Sequence, residues 1–170
     1  MRHDALPEST AANIGAAPLE VQIRPFEAGD AEAFRRLNEE WILQYFRLEE
    51  PDGVVLGNPE REILQPGGQI LMAVDDGLPV GCCALLAEGD GVFELAKMAV
   101  TEGYRGRGLG RRLLERAVAS ARAMGATRLR LSTNHTLKDA IHLYESIGFE
   151  RQTAEPSLYA RADVFMDLSL

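Results

Sequence analysis

The stretch YRGRGLGRR, residues 104–112, sets three glycines and four arginines into nine positions of a chain whose formal net charge is -8. It lies between an apolar strand pattern and an amphipathic helical one. The first backbone N–H groups of a helix have no intrahelical partner, and the helix dipole adds partial positive charge there. Glycines let a ligand come close to that backbone, and phosphate is the natural guest. Arg105, Arg107, Arg111 and Arg112 add charge that a plain turn does not need, although a tight turn followed by solvated arginines has the same spelling. Two nucleotide-binding patterns fail on spacing. Counting G-x-G-x-x-G from Gly106 puts Arg111 at the sixth position, and no ribose-binding acid follows in GATRLRL. Gly-Lys-Ser/Thr, which a P-loop requires, does not occur.

The elements around the loop follow from periodicity. LEVQIRPFEA (19–28) alternates as a strand, and Asp30 stands as cap before a helix over 31–50 with Phe34, Leu37, Trp41 and Tyr45 at helical spacing. PDGVVLGNP reads as a loop and PEREILQ as a short helix with Asn58 as its cap. Apolar runs then flank DDG and EGDG, which is hairpin chemistry, so three antiparallel strands arrive in succession, the last over 92–100. Beyond the glycine-arginine loop comes a helix with Leu109, Leu113, Ala117, Ala121 and Met124 on one stripe, ended by Gly125. A strand (TRLRLST), a helix ending at Gly148 and a last strand (ADVFMDLSL) complete the order β-α-α-β-β-β-α-β-α-β, with no internal repeat.

A chain of 170 residues with 46% hydrophobic and 26% charged residues is an ordinary globular composition. Residues 1–18 read as a poorly ordered lead-in and 19–170 as one domain. No apolar run approaches the ~20 residues that cross a bilayer. Asp4, Glu8 and Asn13 interrupt any signal-peptide core, so the expected location is cytoplasmic, without a membrane partner. Cys82 and Cys83 are adjacent in an apolar strand and point to opposite faces, which disfavours a mutual disulfide. With His3, His135 and His142 far off in sequence, no metal site is expected, and the cysteines read as small buried residues. The acidic balance argues against nucleic acid and for cationic partners such as amines.

The loop resembles the acyl-CoA loop of the GNAT superfamily of N-acyltransferases, whose R/Q-x-x-G-x-G/A pattern is filled by Arg105, Gly108 and Gly110. AIHLYESIGF (140–149) matches a second signature, A-x-x-L-Y-x-x-x-G-F, at a matching separation, and the likeness extends over about 19–170. It implies an α/β fold with a mixed, mostly antiparallel central sheet flanked by helices. It also implies acetyl-CoA as co-substrate. Backbone N–H groups of Arg105, Gly106, Arg107, Gly108, Leu109, Gly110 and Arg111 would hold the pyrophosphate. The pantetheine would lie along Met98, Ala99 and Val100, in a gap where two strands splay, bonded by the backbone of Met98 and Val100. Many members carry Asn where this chain has Leu137; Asn134, one turn earlier, is the candidate to replace that contact.

The chemistry implied is attack of a neutral amine on the thioester, with both substrates held together so that proximity supplies much of the rate. Tyr144 stands where the family carries a tyrosine near the CoA sulfur; with an ordinary pKa of ~10 it can protonate the departing thiolate. Ala140, Tyr144 and Ile147 share a helical face, so a core tyrosine is the alternative. Glu94 opens the strand lining the acyl site and is the candidate base, the alternative being an exposed strand glutamate. Lys97 in that strand reads as solvent-facing, without a role. Glu39, Glu40 and Tyr45 are candidates for the amine pocket. The reading is therefore an N-acetyltransferase acting on a small-molecule or protein amine, with a homodimer left open by the family's habit of pairing. A non-catalytic acyl-CoA sensor on the same fold is the alternative.

Overall fold

The structure, a computed structural model, describes residues 20–170. The lead-in expected over 1–18 lies outside the described residues. Seven strands form one sheet in the order β1-β2-β3-β4-β5-β7-β6. In chain order the elements are β1 (Gln22–Pro25), α1 (Ala31–Tyr45), α2 (Glu50–Gly57), a π-helical turn (Glu60–Leu64), β2 (Gln69–Asp75), β3 (Leu78–Gly89) and β4 (Val92–Val100). There follow a 3-10 turn (Glu102–Tyr104), α3 (Leu109–Ala123), β5 (Arg128–Thr133), α4 (Lys138–Ile147), β6 (Glu150–Gln152) and β7 (Val164–Ser169). Every pairing is antiparallel except β4 with β5. The mixed, mostly antiparallel sheet flanked by helices is the fold the sequence implied.

Both hairpins turn as their Asp-Gly pairs require. Asp76 and Gly77 have φ of 47° and 78°, and Asp90 and Gly91 have 54° and 75°, which matches strand twist in a two-residue turn. The sheet buries a core on each face. One, under α3 and α4, holds Cys83, Leu85, Leu113, Leu129 and Met166; the other, under α1 and α2, holds Phe34, Ile63, Ile70, Met72 and Cys82. The adjacent cysteines thus fall on opposite faces, buried and unbonded, as strand alternation demands. Met124 of the expected α3 stripe is 38% exposed, past the helix end. Among the described residues no helix is long and apolar enough to cross a membrane.

Three local readings change. PDGVVLGNP is not a loop: Glu49 and Asp52 form a reciprocal capping box, and residues 50–57 are helical. Pro51 sits in the first turn, where a missing N–H costs nothing, so the Pro-Gly punctuation did not break the helix. Consequently α1 ends at Tyr45 rather than at residue 50. Asp30 stands at the N-cap of α1 but makes no cap bond. Its carboxylate instead takes both terminal nitrogens of Arg24, at 2.6 and 3.1 Å, and the Glu27 N–H at 2.8 Å, which ties β1 to the helix start. Asn58 does accept the Arg61 N–H, at 3.1 Å.

Candidate active site

β4 and β5 are paired only over Val92–Glu94 and Arg128–Arg130. Beyond that point the two strands part, and the sheet has an open seam. On its other edge β4 stays bonded to β3, but with a bulge. Cys82 faces Ala99 and Ala84 faces Ala96, so Lys97 and Met98 share one partner. Lys97 carries the distortion in a left-handed conformation, φ 53°, which is uncommon for a residue with a side chain. Past the bulge, Thr101 donates to the Val80 carbonyl on the β3 side, at 2.9 Å. By strand alternation the peptide edge of Val100 therefore faces the seam. The Val100 carbonyl there takes the Nε of Arg105 at 2.8 Å.

The glycine-arginine loop closes the end of the seam. Gly106 and Gly108 have φ of 70° and 81°, and Gly108 is the N-cap of α3, so the loop is shaped by conformations that favour glycine. The cap has no side-chain partner, which leaves backbone N–H groups at the helix start for a ligand. A Cβ added at Gly110 would stand 3.5 Å from the Cε of Met98, so the helix start abuts the β4 edge. The four arginines divide into two pairs. Arg105 reaches back to Val100 and to Gln44 of α1, with its guanidinium 5.9 Å from the Tyr45 ring. Arg112 donates to the Val21 carbonyl at 2.6 Å. Those two clamp the fold. Arg107 and Arg111 are exposed beside the helix start; Arg111 also donates to Ser146 Oγ on α4 at 2.8 Å. Leu109 and Ala99 are buried in the two cores, so only their backbone can meet a ligand.

A cavity of 420 Å³ opens along the seam. Glu94, Met98, Asn134 and Tyr144, far apart in the chain, all line it. Tyr144 is half-buried, its ring edge-on to Phe149 with centroids 5.9 Å apart. Burial pushes its hydroxyl up to about 12, so it keeps its proton at neutral pH. Glu94 is not an exposed strand residue. Burial, joined by the charge of and a hydrogen bond with Glu88, pushes its carboxyl up to about 7, with Lys97 and Arg130 opposing. A carboxyl poised there can exchange a proton near neutral pH. Asn134 lines the wall with its amide engaged: Nδ2 donates to the Arg161 carbonyl at 2.8 Å, and Oδ1 accepts from Thr136 N–H at 2.9 Å. His135 and His142 are exposed.

The side-chain network at the other end of the cavity was not visible in the sequence. Lys97, read as solvent-facing, has a side chain only 7% exposed, because the bulge turns it inward. Its Nζ lies 2.8 Å from Asp52, which is completely buried, and 3.1 Å from the Tyr159 hydroxyl. Arg161 bonds both Asp52 oxygens at 2.7 Å and Glu49 at 3.0 Å. Burial alone would raise the Asp52 carboxyl, but the hydrogen bonds from Arg161 and Lys97 outweigh it and hold the group far below the usual carboxylate range. This network fastens the segment before β7 to α2 and makes it a cavity wall. From α1 the lining residues are Asn38, Trp41 and Ile42. Glu39 pairs instead with Arg35 one turn back, Glu40 accepts from the Thr101 hydroxyl at 3.2 Å with Arg36 3.9 Å away, and Tyr45 lies outside under Arg105. The helix expected to form this end does so, through a different face. The Glu49-Glu50-Pro51-Asp52 capping pattern was the one available sign of α2; nothing in the sequence pairs Asp52 with residues 97 and 161.

The model of the acetyltransferase (GNAT) family matches residues 31–149. An amino-acid acetyltransferase of Azotobacter vinelandii is 33% identical over 142 residues, covering 79% of this chain and 32% of that protein. The uncharacterized N-acetyltransferase YjgM of Escherichia coli is 32% identical over 142 residues, covering 79% of this chain and 84% of that protein. The chain thus spans about a third of the first relative and most of the second. The structure of yncA from Salmonella typhimurium, solved with its cofactor acetyl-CoA, superposes with a TM-score of 0.68 at 22% identity, over 88% of this chain and 93% of that one.

Proposed function

This chain belongs to the acetyltransferase (GNAT) family, and from that membership we propose that it is an N-acetyltransferase moving an acetyl group from acetyl-CoA to a primary amine, with Tyr144 as general acid and Glu94 as general base. The observation that carries the reading is one of position. The sheet opens between β4 and β5 beside the unpartnered start of α3, and Tyr144 and Glu94 line the same opening. Acetyl-CoA supplies the activated acetyl thioester. The residues present fit it: Gly106, Gly108 and Gly110 leave the α3 amides open to a pyrophosphate, with Arg107 and Arg111 adding charge. Arg105 contributes through its backbone, its side chain being spent on Val100 and Gln44. The edge of β4 at Met98 and Val100 is the partner for an amide-bearing arm, in the way a missing strand would be. Asn134 shapes the wall on the opposite side.

Glu94 accepts a proton from the incoming amine at its carboxylate, and burial near Glu88 is what makes that carboxylate basic enough near neutral pH. Tyr144 donates from its hydroxyl to the departing sulfur, and its raised proton affinity keeps the donor protonated until then. The test is calorimetric titration with acetyl-CoA, followed by thiol release with a panel of amines, for wild type and Tyr144→Phe. Micromolar binding with turnover that the variant loses is expected. Binding without turnover of any amine would leave a non-catalytic acyl-CoA sensor. No binding at all would overturn both.

A further inference from the structure

The acceptor end of the cavity combines an apolar wall with cations that are already neutralised. Trp41, Phe46, Val54, Val55, Leu86 and Leu158 line it. Two of them carry the apolar surface out to solvent at the mouth, Val54 being 48% and Leu158 82% exposed. Among the described residues, the cations lining the cavity are Lys97 and Arg161. Both are consumed: Asp52 takes Lys97 at 2.8 Å and Arg161 at 2.7 Å, and Glu49 takes Arg161 at 3.0 Å. Two cations against two carboxylates leave no net positive charge to receive an anion. The remaining charged groups of the lining are Glu62, paired with Arg61 at 3.0 Å, and Glu94.

A carboxylate brought into such a wall would lose its water and gain no unpaired cation, and it would meet Glu94 as a like charge. An apolar body would bury surface on aromatic and branched side chains instead. We propose that the acceptor is an apolar primary amine, aromatic or branched-alkyl, that carries no carboxylate, rather than a free amino acid. The inference rests on the acetyl-transfer reading above. Asp52 is then a positioning residue for specificity. By holding Lys97 and Arg161 it removes the two groups that would otherwise select an acidic acceptor.

The test compares kcat/KM of the full chain, by thiol release from acetyl-CoA, for acceptors that differ only in the carboxylate. These are 2-phenylethylamine, phenylalanine and phenylalaninamide, with putrescine as a polar diamine. The expected result is a preference for 2-phenylethylamine over phenylalanine of at least about 100-fold, with phenylalaninamide restored to near the amine. Phenylalanine used as well as 2-phenylethylamine, or putrescine preferred to both, overturns the inference while acetyl transfer stands. Transfer to no acceptor by a protein that binds acetyl-CoA overturns the transferase reading itself, and this inference with it. Asp52→Asn sharpens the result, since a ratio between two acceptors does not depend on how much of the variant folds. Releasing the two cations should move the ratio toward phenylalanine by about tenfold. A ratio that stays at the wild-type value would show that this charge pairing selects nothing, and would overturn the assignment.

Discussion

The two ends of the cavity are built by opposite means. The end proposed for the donor comes from one stretch of chain, Met98 to Gly148, and works through backbone: a strand edge just past a bulge, two left-handed glycines and the start of a helix. The acceptor end joins segments up to 112 residues apart through side chains, with a buried carboxylate, Asp52, at its centre. A backbone site tolerates many sequences as long as its glycines and its register survive. A side-chain network is specific to the residues that make it. On the proposed function, the cosubstrate would be met by backbone geometry and the acceptor by an arrangement of side-chain charges.

Removing the centre of that network should separate the two ends most sharply. Asp52→Ala leaves Lys97 and Arg161 facing a void, and breaking a buried ion pair by deleting one partner costs about 3–5 kcal/mol. Thermal unfolding should register that loss, and a melting curve like that of wild type would dissolve the contrast. Because the folded-state carboxyl of Asp52 is held far below its unfolded value, its stabilising effect is present at neutral pH. It fades only as pH falls from the usual carboxylate range toward that depressed value. Next in size, Tyr144→Phe should lower kcat by roughly 10²-fold while leaving acetyl-CoA affinity unchanged in calorimetry. Weakened acetyl-CoA binding with normal kcat would make Tyr144 a wall residue.

Smaller effects probe the donor end. Arg107→Ala with Arg111→Ala should weaken acetyl-CoA binding by about tenfold, more at low salt than at high, with little change in melting temperature. Equal loss of stability and affinity would mean these exposed arginines support the loop itself. The smallest shift concerns Glu94, whose proton affinity is higher folded than unfolded. Its contribution is fully present below the unfolded carboxylate value and is lost as pH rises through about 7. Glu94→Gln should therefore melt like wild type near pH 4.5 and higher than wild type at pH 8, each kcal/mol being worth about 2–4 °C in a chain of this size. The same variant should abolish the rise of kcat/KM through neutral pH. A profile unchanged by the substitution would remove Glu94 from proton transfer.

Legibility followed the same division. Alternation, Asp-Gly turns and the α3 stripe gave nearly every strand and helix, because each depends on residues near one another in the chain. The seam beside β4 followed from the resemblance carried by Arg105, Gly108, Gly110 and the signature around Tyr144. Where punctuation misled, at Pro51 and Gly53, the competing signal was also local, a capping box between Glu49 and Asp52. Arg105 and Arg112 looked like Arg107 and Arg111 in the sequence. Their different tasks depend on Gln44 and Val21, which lie 61 and 91 residues away along the chain.

The sequence by itself determined the element order apart from α2 and β6, together with the glycine-shaped helix start and the family resemblance, since backbone conformation and hydrophobic periodicity are properties of short windows. Only the tertiary structure decided that Glu94 is half-buried beside Glu88, that Lys97 turns inward at a bulge, and that Asp52 meets Arg161 across the chain. Proton affinity and charge pairing depend on distances in space and on exclusion of water. Neither quantity is defined until the chain has folded back on itself.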